Sequence, residues 1–212
     1  EDDSEEGTAV RRLRWLVTRT EQQLRRQNRL VSDLLDVSRI EAGMLAMELQ
    51  PCDIVAVVRE AVEEQRLAHP GRAITLSAPP AHAPIVAMVD ADRIGQVVTN
   101  FLTNALKYSA PETAVRVRVS AHAGRARVAV RDHGPGLPVE ERAAIWQQFH
   151  RAPGIEVLSG SGVGLGIGLY ISRTIIERHG GAFGVRSALG EGSTFWFEVP
   201  CVPPNPEEPA RS

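Results

Sequence analysis

Lysine, cysteine and long apolar runs are all scarce in this sequence. Lys107 is the only lysine among 24 basic residues, and Cys52 and Cys201 are the only cysteines. Two cysteines so far apart form no disulfide framework, which is typical of a reducing compartment. No apolar run approaches the roughly 20 residues that span a bilayer. The sequence therefore argues against a disulfide-stapled scaffold, and it predicts no direct membrane contact by these residues.

The charge and length of the chain limit the kinds of partner and the number of domains that it can have. A formal net charge of −2 gives no electrostatic case for a nucleic-acid partner. At 212 residues the chain is long enough for one domain and an appendage. It begins with Glu1 rather than methionine. We therefore expect a cytoplasmic piece of a longer protein, and a membrane anchor in the intact protein stays compatible with this.

The stretch from Asp92 to Ser109 predicts an amphipathic helix with an unusual polar side. Its apolar residues recur at three- and four-residue steps, as one buried face requires. Asn100, Asn104 and Lys107 recur at the same steps on a different side. Because every other basic residue is arginine or histidine, a lysine there suggests a need for a compact point charge. The alternative is a solvated helix face that carries a lysine by chance.

The N-terminal part of the chain predicts a long helix that needs partner helices. Residues 1–7 form an acidic run without apolar residues and are expected to be a loop or disordered start. Residues 8–42 carry a heptad seam, and Gly43 is the natural stop. About 35 residues make a helix of roughly 50 Å, which cannot bury a seam on itself. The seam comprises Val10, Leu13, Val17, Thr20, Leu24, Gln27, Val31, Leu34 and Ser38.

Beyond Gly43 the patterns alternate between strands and helices. In chain order they predict a strand over 44–51, a helix over 54–68 capped by Asp53, and strands over 73–78 and 85–89. The polar-sided helix follows, capped by Asp90 or Asp92, and then a hairpin over 114–132 that turns at Ala123-Gly124. The rest is predicted to be a loop-rich segment over 134–168 with a helical patch near 139–149, a helix over 167–179, and two strands joined by 190–192. We expect about 137–163 to act as a lid. The mixture indicates an α+β fold, a mixed sheet with its helices on one face, with a disordered Pro-rich tail over 203–212.

An acidic residue followed by alternate glycines ends the second strand of the hairpin. A carboxylate at a strand end accepts a hydrogen bond from an exocyclic amino group such as adenine N6, and it repels a carbonyl oxygen. Asp132 would therefore favour adenine over guanine, and Gly134 and Gly136 would let a flat ring approach the backbone. The alternative is a tight turn after a strand.

Five glycines at alternate positions from Gly160 to Gly168 lead directly into the helix over 167–179. Free backbone N–H groups at a helix N-terminus, together with its partial positive charge, favour phosphate binding. A flexible linker is the alternative, although linkers rarely end in a strongly patterned helix. The spacing matches neither a P-loop nor a dinucleotide-binding fingerprint.

Five motifs, taken in order, resemble the asparagine, aromatic and three glycine boxes of sensor histidine kinases. They are Asn100-x-x-x-Asn104-x-x-Lys107-Tyr108, Asp132-x-Gly134-x-Gly136, Trp146-x-x-Phe149, Gly164-x-Gly166-x-Gly168-Leu169 and Gly190-x-Gly192-Ser193-Thr194. These kinases share an ATP-binding fold with DNA gyrase, Hsp90 and MutL. The resemblance implies a Bergerat-type two-layer α/β sandwich over residues 44–202. Residues 29–43 look like the end of the second helix of the dimerisation and phosphotransfer bundle, so 8–43 would be part of that helix.

The resemblance also implies a role for each motif. Asn104 would coordinate Mg²⁺, Asn100 and Lys107 would contact phosphate, and these three would be the catalytic residues. Asp132 would recognise adenine, and Thr194 would support the adenine pocket. Trp146 and Phe149 are expected to anchor the lid by packing rather than to touch ligand. The implied nucleotide-binding residues are Asn100, Asn104, Lys107, Tyr108, Asp132, Gly134, Gly136, Arg151, Gly164, Leu165, Gly166, Gly168, Leu169 and Thr194.

One departure from the family pattern concerns the phosphoacceptor. The first histidine in the chain is His69, beyond the bundle helix, and no histidine lies in the expected His-Glu-Leu-Arg-Thr-Pro setting. The resemblance implies ATP, ADP and Mg²⁺ as ligands, a response regulator receiver domain as partner, and a homodimer through the bundle in the intact protein. The alternatives are a relative that hydrolyses ATP or phosphorylates serine, and a nucleotide-binding regulatory module without catalysis.

Overall fold

The computed structural model describes residues 12, 17, 20, 23, 24, 27, 28, 30–80, 82–155, 157–158 and 165–202. The chain divides into two compact units, Glu1–Leu45 and Ala46–Ser212. The acidic run over 1–7 and the Pro-rich tail over 203–212 lie outside the described residues.

The described residues of the first unit are helical up to residue 41. Residues 30–41, here α1, end in a turn that Gly43 closes with a φ of 70°. The Met44 N–H donates to the Arg39 carbonyl at 2.8 Å and the Gly43 N–H donates to the Ile40 carbonyl at 3.0 Å, which is the Schellman pattern. The predicted stop at Gly43 is therefore confirmed.

The apolar residues of the heptad seam that the structure describes are exposed to solvent in the single chain. Seam residues Val17, Leu24, Val31 and Leu34 are 46–57% exposed. An apolar stripe that remains in water needs a partner surface to be stable. Association of this seam with other helices stays a prediction.

The second unit is built of seven strands and four helices among its described residues. They are β1 (Gln50–Asp53), α2 (Ile54–Ala68), β2 (Ile74–Ser77), β3 (Val86–Val89), α3 (Ala91–Tyr108), β4 (Val115–His122), β5 (Arg125–Arg131), α4 (Glu141–Ala144), α5 (Gly168–Arg178), β6 (Ala182–Ala188) and β7 (Gly192–Pro200). The main sheet has the order β2-β4-β5-β7-β6, with β2 and β4 parallel and the other pairs antiparallel. β1 and β3 form a separate antiparallel pair.

One face of the main sheet carries the core. Alternate residues of the three central strands are buried on it, as the two-residue period of a strand requires. They are Val115, Val117 and Val119 of β4, Ala126, Val128 and Val130 of β5, and Phe195, Phe197 and Val199 of β7. α2, α3 and α5 pack against these strands. The predicted mixed sheet with its helices on one face is confirmed. No helix in the described part of the chain is both long and apolar enough to cross a membrane.

Hydrogen bonds secure the start of α3. The Asp90 carboxylate, not Asp92, caps the helix by accepting the Arg93 N–H at 3.1 Å. The buried His179 at the end of α5 accepts the Asp90 N–H at its Nε2, 3.0 Å away. Since that nitrogen accepts, Nδ1 carries the proton and donates to the Ile175 carbonyl at 2.7 Å. The histidine thus ties the end of α5 to the start of α3.

Arg72, in the turn before β2, secures the other end of α3. Its guanidinium donates to the carbonyls of Leu106 at 3.0 Å and Ser109 at 3.3 Å. It also donates to the Ser109 hydroxyl at 2.7 Å. The last carbonyls of a helix have no intrahelical donor, and a guanidinium supplies several at once.

The structure departs from the predicted elements mainly at two places. The first strand was expected over 44–51, but it runs from Gln50 to Asp53, so the prediction that it ends at Pro51 is wrong. β1 pairs with β3 alone, and an edge strand tolerates a proline that lacks a donor. The helical patch near 139–149 is also shorter, with only Glu141–Ala144 in α4.

We expect Arg72→Ala to lower the free energy of unfolding by about 1.5–3 kcal/mol, the range for hydrogen bonds to a charged donor. The loss arises because the last carbonyls of α3 would be left without their donor. Chemical denaturation measures it. Arg59→Ala is the matched control, since Arg59 is exposed on α2 and should change stability by less than about 0.5 kcal/mol. Equal losses in the two variants would contradict this role.

Candidate nucleotide site

The carboxylate of Asp132 lies buried just beyond the end of β5, with 4% of the residue exposed. Its Oδ1 accepts the backbone N–H of Gly134 at 2.8 Å and that of Ser193 at 3.2 Å. Among the described residues, no donor reaches the other oxygen, Oδ2. The two backbone bonds fix the orientation of the carboxylate and leave Oδ2 available to a ligand.

The environment of Asp132 disfavours its charge. Burial raises the pKa of the Asp132 carboxyl above its ordinary value, because desolvation penalises the ionised form. The hydrogen bonds from Gly134 and Ser193 oppose this rise but do not cancel it. A ligand that donates a hydrogen bond to Oδ2 would therefore compensate an existing deficit.

Three glycines allow the backbone around Asp132 to pack closely. A Cβ on Gly134 would lie 2.5 Å from the Tyr108 carbonyl oxygen. A Cβ on Gly136 would lie 1.9 Å from the carbonyl oxygen of Ala188, at the end of β6. A Cβ on Gly192 would lie 2.2 Å from the carbonyl oxygen of Asp132 itself. These contacts bring the end of α3, the loop after β5 and the β6–β7 turn together.

The polar side of α3 connects the two halves of the site. Asn100 is 8% exposed, and its Nδ2 donates to the Gly168 carbonyl at 3.2 Å and the Ser172 hydroxyl at 3.3 Å. Asn100 therefore joins α3 to the N-terminus of α5. Tyr108, two turns further, lies against Gly134, close to Asp132.

Asn104 and Lys107 lie between these two ends of the polar side, and both are half-buried. The Asn104 amide forms no hydrogen bond with a described residue. The Lys107 ammonium lies 4.9 Å from the centroid of the Tyr108 ring and forms no ion pair within the described part of the chain. A half-buried cation without a paired anion favours an anionic ligand.

The predicted lid is anchored at its base. Trp146 is buried and packs on the rings of Phe183, Phe195 and Phe101, with centroids 4.7, 6.0 and 6.2 Å away. This confirms the prediction that Trp146 anchors by packing. Phe149 differs: it is 57% exposed with a φ of 61°, so the prediction that it anchors by packing is wrong.

The two ends of the segment over 150–166 lie together. A Cβ on Gly166 would lie 2.7 Å from the His150 carbonyl oxygen. The His150 ring is itself 2.6 Å from the Glu141 carboxylate at the start of α4. The Leu158 N–H donates to the Lys107 carbonyl at 3.0 Å, so this segment also contacts α3.

The other predicted nucleotide-binding residues in and near the glycine-rich segment differ in their position relative to α5 and in their exposure. Gly168 is the first residue of α5, and Gly166 lies two residues before it. Leu169 is half-buried in the first turn, and Leu165 is 37% exposed. Arg151 is exposed. Gly164 lies outside the described residues.

Strand alternation separates Thr194 from the site. Thr194 pairs with Arg131 and Arg186 in the sheet, on the face opposite to the buried Phe195. The expected support of the adenine pocket by Thr194 therefore needs correction. Ser193, by contrast, is buried, and its N–H donates to Asp132. The alternation of Phe195, Phe197 and Val199 is the sequence signal that places position 193, not 194, on the core side.

Comparison with protein-family models identifies the family to which this site belongs. The family model described as histidine kinase-, DNA gyrase B- and HSP90-like ATPase matches residues 89–203, just over half of the chain. The chain belongs to this family. The matched range begins immediately before α3 and contains every candidate site residue. Membership in this ATPase family implies that the site binds ATP.

Curated relatives are named sensor kinases. The chain is 31% identical over 187 residues to the alginate biosynthesis sensor protein KinB of Pseudomonas aeruginosa, covering 87% of this chain and 30% of KinB. It is 33% identical over 174 residues to the probable sensor histidine kinase TcrY of Mycobacterium tuberculosis, covering 82% of this chain and 36% of TcrY. The chain thus spans about a third of the length of these relatives.

Solved structures share the fold. The mycobacterial sensor histidine kinase MprB superposes with a TM-score of 0.64 and 28% identity, covering 73% of this chain and 100% of that chain. Full-length ShkA in complex with AMPPNP gives a TM-score of 0.66 and 32% identity, covering 81% of this chain and 35% of that chain. The mixed sheet with helices on one face is therefore the fold of histidine kinase ATPase domains.

We expect Asp132→Asn to weaken ATP binding by about 1.5–3 kcal/mol, the range for a hydrogen bond to a charged group. The amide keeps the shape of the side chain but places a donor where adenine N6 would donate. Calorimetry with ATP measures the change. Asp92→Asn removes an equal charge at an exposed position of α3 and should bind ATP as tightly as the parent. Unchanged affinity in Asp132→Asn, or equal GTP and ATP affinity in the parent, would contradict the assignment.

The same substitution should stabilise the nucleotide-free protein at neutral pH. Because the folded-state pKa of Asp132 is raised, its contribution to stability is largest below the unfolded pKa and is lost as pH rises through the folded value. Asparagine does not ionise, so the Tm advantage of Asp132→Asn should shrink as the pH falls towards about 4, the ordinary value for Asp. Thermal unfolding across this range measures it, and a Tm difference independent of pH would refute the expectation.

Proposed function

We propose that this chain is the catalytic part of a sensor histidine kinase, which binds Mg-ATP and transfers the γ-phosphoryl group to a histidine. The phosphoryl group would then pass to an aspartate of a response regulator. The observation that carries the proposal is the Asp132 carboxylate, with one oxygen held by two backbone N–H groups and the other available to a ligand, beside the polar side of α3.

Adenine recognition would centre on Asp132. Its Oδ2 would accept the N6 amino group, which ATP and ADP share and GTP lacks. Gly134 and Gly136 keep the loop beside it free of side chains, and Tyr108 would flank the nucleotide. Ser193 would support the pocket through its bond to Oδ1.

The phosphates would lie towards the start of α5. This helix spans 11 residues and its first turn contains no acidic residue, so its N–H groups and partial positive charge favour an anion. Lys107 would add a point charge from α3. The glycines over 164–168 would let phosphate oxygens approach the backbone.

The described residues fit a magnesium ion held mainly by the nucleotide. Within the part of the chain that the structure describes, no group of three or more His, Cys, Asp or Glu residues is placed to bind a metal. Mg²⁺ in nucleotide sites is typically held by one or two protein oxygens plus phosphates and water. The Asn104 side-chain oxygen would be that protein ligand. When bound, the ion would neutralise charge that develops on the phosphates during transfer.

The position of Asn100 favours transfer over hydrolysis. A hydrolytic enzyme needs a base that accepts a proton from water, whereas the Asn100 amide donates to Gly168 and Ser172 and does not titrate. Without a base for water, the γ-phosphoryl group requires a ready nucleophile such as a neutral imidazole. An ATP-hydrolysing or serine-phosphorylating enzyme is accordingly the weaker candidate.

The remaining regions take their roles from this proposal. Residues 8–43 would be the second helix of the dimerisation and phosphotransfer bundle, and the open seam of Val17, Leu24, Val31 and Leu34 would be covered in a homodimer. Residues 44–202 would be the ATP-binding domain of a cytoplasmic region. A response regulator receiver domain would be the downstream partner.

We expect Asn104→Ala to abolish the Mg²⁺-dependent part of ATP affinity, about tenfold or more if one charge-assisted contact is lost. Since the amide makes no hydrogen bond with a described residue, the Tm should stay within the range of surface variants. Titrating ATP with and without Mg²⁺ measures the effect. Thr99→Ala, another half-buried position on α3, is the matched control. If the Mg²⁺ dependence persists in Asn104→Ala, another group holds the ion.

A phosphotransfer assay tests the overall proposal. The chain should bind radiolabelled ATP without labelling itself, because its first histidine lies beyond the bundle helix. A separate protein that carries the full two-helix bundle of the same kinase with its histidine, and whose own ATP site is disabled, should acquire acid-labile, base-stable phosphate. The rate should be low, since separation forfeits an effective concentration of roughly millimolar. Release of inorganic phosphate alone would indicate that the chain hydrolyses ATP. ATP binding without phosphohistidine or inorganic phosphate would indicate a regulatory module. Strong labelling of the chain's own histidines would contradict the expectation that the acceptor lies on the separate protein.

A further inference from the structure

The face of the main sheet opposite the core carries a row of arginines. Arg116 of β4 pairs with Arg131 of β5, Arg131 pairs with Thr194 of β7, and Thr194 pairs with Arg186 of β6. All four residues therefore lie in one line across four neighbouring strands. Arg118, two residues beyond Arg116 on the same strand, shares this face.

These arginines have no partner among the residues that the structure describes. Arg116, Arg118, Arg131 and Arg186 are exposed, and none forms an ion pair or hydrogen bond with a described residue. Arg116 and Arg131 lie directly opposite each other, and like charges in that position destabilise a sheet. A repulsive arrangement without internal compensation indicates that the charges serve a ligand rather than the fold.

One aromatic ring, that of Trp196, lies beside the arginine row on this face. Gly184 has no side chain, and a Cβ there would lie 2.7 Å from the Trp196 ring, which therefore lies close over the strand. Arg127 covers that ring, with its guanidinium carbon 4.0 Å from the ring centroid, and it also pairs with Glu198. Arg127 thus has an ion-pair partner in Glu198, whereas Arg116, Arg118, Arg131 and Arg186 have none among the described residues.

We propose that this arginine face, Arg116, Arg118, Arg131 and Arg186, binds an acidic, extended polypeptide segment of a partner protein. Neighbouring strands are about 4.8 Å apart, so Arg116, Arg131 and Arg186 stand at roughly 0, 5 and 14 Å along the row. An extended peptide repeats its side chains on one side about every 6.8 Å. Carboxylates at alternate positions of such a peptide match this row, and guanidinium groups bind carboxylates in a bidentate manner.

Nucleic acid and membrane fit the same face less well. A nucleic-acid-binding domain usually has a pI above about 9, whereas the sequence pI here is 6.4. Membrane adsorption by a basic patch gains from apolar side chains that insert beside it. The side chains between the arginines are Thr194 and Ala129, and Trp196 is covered by Arg127.

The test uses the full chain and a fluorescent peptide of alternating Glu and Ser, about eight residues long so that it spans the row. Fluorescence anisotropy should show binding that weakens with salt, and none to the matching Gln-Ser peptide. Arg116→Gln/Arg186→Gln should bind roughly twofold to thirtyfold more weakly, the factor for two exposed ion pairs. Arg39→Gln/Arg59→Gln removes the same charge from exposed arginines elsewhere and should bind like the parent.

Three results would overturn the proposal. Equal losses in the two double variants would mean that only net charge matters. Tighter binding of a short single-stranded DNA or of anionic phospholipid vesicles, abolished by Arg116→Gln/Arg186→Gln, would assign the face to those partners. A lower Tm in Arg116→Gln/Arg186→Gln would mean that the arginines serve the fold, whereas relief of repulsion predicts an equal or higher Tm.

Discussion

Burial of one face of α3 is the constraint on which the rest of the structure depends. Ile94, Val98 and Phe101 are fully buried, and the Phe101 ring contacts Phe195 and Phe197 of β7. Fully burying such a side chain contributes about 1.5–3 kcal/mol. Because helix side chains have a fixed angular spacing, this burial also determines where Asn100, Asn104 and Lys107 point. The hydrophobic core thus positions these polar groups, and the bonds at both ends of α3 hold the helix in place.

The chemistry of the site works against the stability of the empty protein. Within the described part of the chain, the buried Asp132 carboxylate has one oxygen without a donor and the half-buried Lys107 ammonium has no ion pair, and both reduce stability. A nucleotide that satisfies both would bind the folded state alone and would stabilise it by mass action. Nucleotide binding and the folding of this region are therefore expected to be energetically linked.

Much of this arrangement follows from the sequence, because periodicity reports burial directly. The helix predicted over 54–68 is Ile54–Ala68, and the hairpin turn has positive φ at both Ala123 and Gly124. The errors have identifiable physical causes. Pro51 lies in an edge strand, where a missing donor costs little. The Phe149 backbone adopts a left-handed conformation that no period predicts, and Thr194 was separated from the site by one step of strand alternation.

The glycines around Asp132 carry a consequence for reading related sequences. Gly134, Gly136 and Gly192 are required by contacts between backbone segments, since a Cβ at any of them would meet a carbonyl oxygen within 2.5 Å. That requirement holds whether or not a nucleotide ever enters. A relative that had lost catalysis but kept the fold would still retain these glycines. In such a relative, other residue types could replace Asp132, Asn104 and Lys107. These three glycines therefore report the architecture, whereas Asp132, Asn104 and Lys107 are the positions where loss of the proposed nucleotide binding would appear.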